Sequence, residues 1–211
     1  MKRSSPQQSR QSADPKERIL QAGTKIFAQK GFDGARVDAI AASAKINKQR
    51  LYHYFGNKDS LFTAVLERAY RGLREAEAQL ELDLLPADKA ILQLVEFTWT
   101  YYLANPELIR LLNSENQLEA RHLKSAASTR EINAGHRDLM HGLILRGRRE
   151  KTIRRDLDAV HLSVNIAALS YFYLMNRHTL STVFEQDFGS DESLKSRLRV
   201  MKDNIARWIA P

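Results

Sequence analysis

The chain has 211 residues, 43% of them hydrophobic and 27% charged, enough for one or two domains with a substantial core. It contains no cysteine, which excludes disulfides, thiol nucleophiles and cysteine-ligated metals and fits a reducing cytoplasm. The net charge of +8 is uneven: residues 1–56 carry 11 Lys and Arg against 4 Asp and Glu, residues 57–211 carry 22 against 21, so an anionic partner is expected at the N-terminal quarter.

Residues 1–13 are rich in Ser, Gln and Arg without periodicity and read as a disordered basic arm. Lys2, Arg3 and Arg10 either follow a minor groove or hang free. No apolar core of a secretory signal appears in the opening residues. The longest apolar run, IAALSYFYLM at 166–175, is far short of the ~20 residues of a spanning helix, so a soluble cytoplasmic protein is expected.

Order is predicted from Asp14, an N-cap followed by Pro15 at the first helical position and Glu17 spaced for a capping box. Ile19, Leu20, Gly23, Ile26 and Phe27 recur at helical spacing up to Gly31, a C-terminal glycine. Val37 to Ala44 reads as a short second helix, and Lys45-Ile46-Asn47 as a turn. Asn47 caps a third helix from Lys48 to about Phe55; Gly56 ends it, and Asn57 caps a fourth running toward Leu80. The remainder is helical as well: 85–104, 117–150 with interruptions near 125–129 and Gly135, 157–184, and 190–208. Two short helices joined by a three-residue turn form a helix-turn-helix, whose second helix docks in a major groove. The predicted fold is therefore all-α, with a DNA-binding head over 14–60 and a larger helical domain over 61–211.

On the third helix Leu51 and Phe55 serve the core, with Tyr54 also packed, while Lys48, Gln49, Arg50, Tyr52 and His53 face DNA. Lys48 and Gln49 are the expected base readers, since Lys and Arg pair with guanine and Gln with adenine. Tyr52 and His53 suit phosphate oxygens, and Lys58 a phosphate aided by the positive end of the fourth helix. Leu194, Leu198, Met201, Ile205 and Trp208 step by four and three along the last helix, a heptad-like seam. The helix before it is apolar nearly all round, the mark of a buried helix. Two such helices from each of two chains predict a four-helix homodimer interface.

The stretch ILQAGTKIFAQKGFDGARVDAIAASAKINKQRLYHYFGNKDSLF resembles the DNA-binding domain of the TetR family of transcriptional regulators. That resemblance implies a three-helix head on an effector-binding and dimerisation domain, a double-stranded DNA operator and a small-molecule effector, with no cofactor, metal or membrane partner. Two positions depart from the family pattern. Lys45 stands where glycine is usual and positive φ is favoured, and Arg36 stands where Thr or Ser caps the second helix and touches phosphate; Arg36 can still reach a phosphate. NSENQLEARHLK (113–124) and YFYLMNRHTLSTVF (171–184) look like a subgroup that regulates degradation of N-heterocycles, implying a small aromatic or N-heterocyclic acid as effector.

For the effector, polar groups on apolar helices are the candidates: Trp99, Tyr102, Asn116, His122, Asn165 and Tyr171. Arg121 reads as a surface ion pair, and the basic run 146–151 as a solvated face. Six histidines leave an enzyme as the alternative class, but no HExxH, phosphate loop or nucleophile elbow is present. A non-specific DNA-coating protein would need basic charge beyond residue 56. The expected function is a ligand-responsive repressor, with an activator or dual regulator as the nearest alternative.

Overall fold

A computed structural model describes residues 14–211; the arm expected over 1–13, with Lys2, Arg3 and Arg10, lies outside the described residues. Among the described residues the chain forms eleven α-helices, one 3-10 turn and no strand. The head comprises α1 (Pro15–Gly34), α2 (Val37–Ser43) and α3 (Lys48–Phe55), and α4 (Lys58–Glu77) leads out of it.

Asp14 caps α1 by accepting from Lys16 N. Glu17 does not close a capping box: its carboxylate accepts from Arg68 at 2.6 Å and from Gln21, tying α1 to α4. Gly31 breaks α1 at φ 68°, and one further turn follows to Gly34. That break delivers Phe32 into a cluster with Phe27 and Phe62, ring centroids 4.8–6.2 Å apart. The cluster sits among Ile19, Ile40, Leu51, Leu61, Val65 and Leu66, all fully buried. Each such side chain contributes roughly 1.5–3 kcal/mol relative to exposure.

The body begins with a 3-10 turn (Leu82–Leu84), followed by α5 (Ala87–Ala104) and α6 (Pro106–Gln117). Leu111 of α6 is itself a fully buried member of the head's core, and Leu118 and Leu123 pack against that core. Ser114 of α6 accepts the N–H of Phe32 at 3.0 Å. Head and body are thus joined by packing as well as by α4.

The segment expected as one interrupted helix over 117–150 is three: α7 (Arg121–Ser125), α8 (Ala127–Ile132) and α9 (Ala134–Glu150). The first break is at Glu119 and Ala120, with φ of 54° and 58°, where Glu115 accepts the N–H groups of His122 and Leu123 and so caps α7. Gly135 interrupts nothing; it lies in the first turn of α9.

The last two helices are α10 (Ala159–Val183) and α11 (Asp191–Ile209). The seam on α11 faces its own subunit: Met201 and Ile205 are buried in the core with α5 residues such as Leu94 and Val95, and Leu194, Leu198 and Trp208 pack against them. A heptad-like spacing marks an apolar face without saying which helix will cover it. Nor is α10 buried all round. Leu162, Ile166, Ser170 and Tyr173 point inward, whereas Val160, Val164, Phe172 and Val183 are 67, 54, 58 and 72% exposed.

Candidate nucleic-acid interface

The geometry of α3 follows from its ends. Asn47 accepts the N–H of Arg50 at 2.7 Å, and Gly56, at φ 75°, turns the chain out. Between these stops only Leu51 and Phe55, four apart, are buried. Tyr54 is partly buried against the head's core. Lys48, Gln49, Arg50, Tyr52 and His53 are all exposed on the remaining surface, and Arg36 is exposed just before α2. Arg36 makes no side-chain cap, as its chemistry dictates. Lys45 takes φ 55°, a conformation that glycine adopts without penalty.

Two of the cations are already engaged. Lys48 Nζ lies 2.9 Å from Asp38, and the Asp38 hydrogen bond, followed by its charge, raises the lysine pKa. Lys58 Nζ sits 4.6 Å from the centroid of the Phe32 ring and donates to Asp33 O at 3.4 Å. Asn57 caps α4 by accepting from Ser60 N. Lys58 is therefore held at the positive end of a 20-residue helix.

The six effector candidates do not converge on one pocket. Trp99 is core, its ring edge-on to Tyr173 at 5.7 Å, and Asn165 is exposed on α10. His122 is buried at the head–body junction, 2.7 Å from Glu115, 3.3 Å from Asp59 and against the rings of Phe32 and Phe62. Tyr102, Asn116 and Tyr171 do come together: burial raises the Tyr171 pKa and the neighbouring Asn116 side chain tempers the rise, and Tyr171 acts electrostatically on Tyr102, whose pKa burial pushes up to about 12. Tyr102 also lines a cleft of about 120 Å³ with Leu103, Ile109, Leu174 and His178.

Sequence reasoning missed Tyr70, Arg74 and Glu77 on the body-facing side of α4. Their spacing of four and three, polar groups within an amphipathic helix, was the available signal. Arg121 forms the expected exposed pair, with Asp59 at 2.9 Å. The basic run is not wholly solvated: Arg146 is partly buried and staples α9 to the 3-10 turn through Asp83 and Leu82 O. Among the described residues no cluster of three or more His, Asp or Glu is placed to hold a metal, and no helix is long and apolar enough to cross a membrane.

A capped, basic recognition helix following a short helix and a tight turn defines a helix-turn-helix DNA-binding protein. Residues 19–65 match the family model for bacterial regulatory proteins of the tetR family, and residues 88–205 match that for the tetracyclin repressor-like C-terminal domain. The chain belongs to the TetR family of transcriptional regulators. It is 34% identical to the HTH-type transcriptional repressor NicS of Pseudomonas putida over 94% of each chain. It is also 40% identical to the repressor SCO4008 of Streptomyces coelicolor over 46% of this chain and 47% of that one. Among solved structures, SCO4942 of Streptomyces coelicolor aligns with a TM-score of 0.71 at 25% identity, over 94% of this chain and all of the other. FadR of Bacillus subtilis, solved with stearoyl-CoA, shares the fold at a TM-score of 0.65 and 17% identity over 92% and 98% of the two chains.

Proposed function

We propose that this chain is a homodimeric transcriptional repressor whose two copies of α3 enter successive major grooves of a palindromic operator. A small effector bound in the body releases it. The observation that supports this best is the division of labour on α3: two residues anchor it in the core, and Lys48, Gln49, Arg50, Tyr52 and His53 stand free of that core. Gln49 and Lys48 read base edges; Arg36, Tyr52, His53 and Lys58 meet phosphates.

One short helix-turn-helix seldom binds tightly enough alone, and the exposed apolar stripe of α10 offers the second copy its seat. Val160, Val164 and Phe172 recur at four and eight residues, with Val200 of α11 also exposed. This stripe replaces the inward-facing seam of α11 as the dimer contact. The effector is an N-heterocyclic or aromatic acid of a catabolic pathway, and the site of action is the cytoplasm, where the operator lies. Regulation of this kind requires binding and no catalysis.

Footprinting of the DNA flanking the gene tests the reading. A protected inverted repeat at physiological ionic strength is the expected result; no protected stretch would overturn it.

A further inference from the structure

The positive excess of the head is not confined to α3. Arg18, Ala22 and Lys25 recur at four and seven residues along α1 and so share one face. That face and the end of α2 with its turn, Ser43, Ala44 and Lys45, wall a cleft of about 450 Å³. Lys25 and Lys45 are exposed, and Arg18 is half-buried. No acid lines the cleft, and none of the three cations has an ion pair among the described residues. The nearby acids are committed elsewhere, Glu17 to Arg68 and Asp38 to Lys48. A concave surface lined by one sign of charge concentrates the opposite sign.

Lys45 carries a second, independent sign. Its N–H donates to Ala42 O at 3.1 Å and that of Ile46 to Ala41 O at 3.0 Å, the paired bonds that close a helix through a left-handed residue. That residue, at φ 55°, is the natural place for glycine, and the chain holds a lysine there against local strain. Strain kept in a folded chain points to a use for the side chain. Asn47, the cap of α3, is two residues on, so the cleft opens beside the N-terminal end of α3, the end that meets base edges. The backbone bordering a major groove entered by that end passes the mouth of the cleft. An acidic protein segment would match the charge, but duplex DNA alone is continuous with the α3 surface.

We infer that the sugar–phosphate backbone of the bound duplex lies along this cleft, with Lys45, Arg18 and Lys25 each facing a phosphate oxygen and Ser43 offering a hydroxyl. The inference rests on the DNA-binding reading above and extends the contact surface from α3 and the start of α4 onto α1 and the turn. Such contacts fix register and affinity and carry no sequence information.

The test is fluorescence anisotropy of the full chain on two duplexes of equal length, one from the DNA flanking the gene and one of random sequence, across a salt series. Lys45→Gly suits the turn and stays folded. It should nevertheless bind both duplexes roughly three- to tenfold more weakly, with a log–log salt slope flatter by about 0.9. Lys45→Arg keeps the charge and should keep the slope. Arg18→Gln/Lys25→Gln, checked for fold by circular dichroism, should flatten the slope by about twice as much and weaken both duplexes by the same factor. The cleft is refuted as a backbone seat if Lys45→Gly or the double variant binds with the affinity and slope of the unmodified chain, the result an acidic protein partner would give. It is refuted equally if either variant changes the preference between the two duplexes. If the unmodified chain binds neither duplex, the DNA-binding reading itself falls; if it binds and the variants match it, only the cleft does.

Discussion

The imidazole Nδ1 of His122 lies 2.7 Å from Glu115 Oε2, with the two side chains 4% and 1% exposed, directly against the aromatic cluster of the head. Glu115 Oε1 meanwhile accepts the backbone N–H groups of His122 and Leu123 at 2.7 and 3.0 Å. One carboxylate thus caps α7 and fixes the ring that α7 presses on the head. Glu115→Ala removes the acceptor of two backbone N–H groups and the carboxylate beside the His122 ring at a buried junction, at an expected cost of ~2–4 kcal/mol in urea denaturation. Glu115→Gln retains the accepting oxygen and should cost less than half as much. Equal losses for both variants would contradict the capping role.

Lys45 carries a side chain through the left-handed region at φ 55°. Lys45→Gly relieves that strain, worth ~1–2 kcal/mol, while giving back part of it as extra freedom in the unfolded chain. A net gain of about 0.5–1 kcal/mol is expected in thermal or urea melts. A loss of stability would mean that the lysine side chain contributes packing there.

The two classes of DNA contact separate by experiment. Gln49→Ala should cost ~1–3 kcal/mol on the operator and relax preference at one base position. Lys58→Ala should weaken binding to all duplexes alike and flatten the salt dependence by about one counterion. Asp38→Asn frees Lys48 from its ion pair and removes an anion from the DNA face, so it should tighten binding to every duplex. Fluorescence anisotropy across a salt series reads all three.

Glu77 sets an acid limit on stability. Burial alone would raise its pKa, but the His136 hydrogen bond and the Arg74 charge outweigh burial and hold it below the ordinary value. A carboxylate with a folded pKa below its unfolded one stabilises the fold above the unfolded value, near 4.3, and that contribution fades as pH falls through the folded pKa. Denaturation curves between neutral pH and about pH 3 should therefore show a steeper acid loss for the unmodified chain than for Glu77→Gln. Parallel curves would remove Glu77 from the account.

Phe172 stands at the middle of the exposed stripe on α10. Phe172→Glu places a charge where the second copy is to pack, and the expected product is a folded monomer by light scattering with much weaker operator binding. A dimer of unchanged affinity would move the interface elsewhere.

The head was readable almost to the residue because its signals are local. Asn47 and Asn57 cap within three residues, Gly31 and Gly56 turn where positive φ is required, and Leu51 and Phe55 share a face by spacing alone. The body was less readable because its decisive facts are distant in sequence. Spacing marked Met201 and Ile205 as one apolar stripe, but only tertiary packing shows that α5 covers it. Likewise the apolar surround of α10 could not say which half is unpartnered. Arg74 went unnoticed because it is paired with Glu77, which also holds His136 of α9, and such a tertiary pairing leaves no trace in periodicity.

Leu111 comes from the body and yet is fully buried in the core of the head. A fragment that stopped after α4 would expose the hole this side chain occupies, so the DNA-reading unit is completed by a residue of α6, the helix packed on α1 and α4. A single cooperative melting transition for head and body together is the expected outcome of that shared packing.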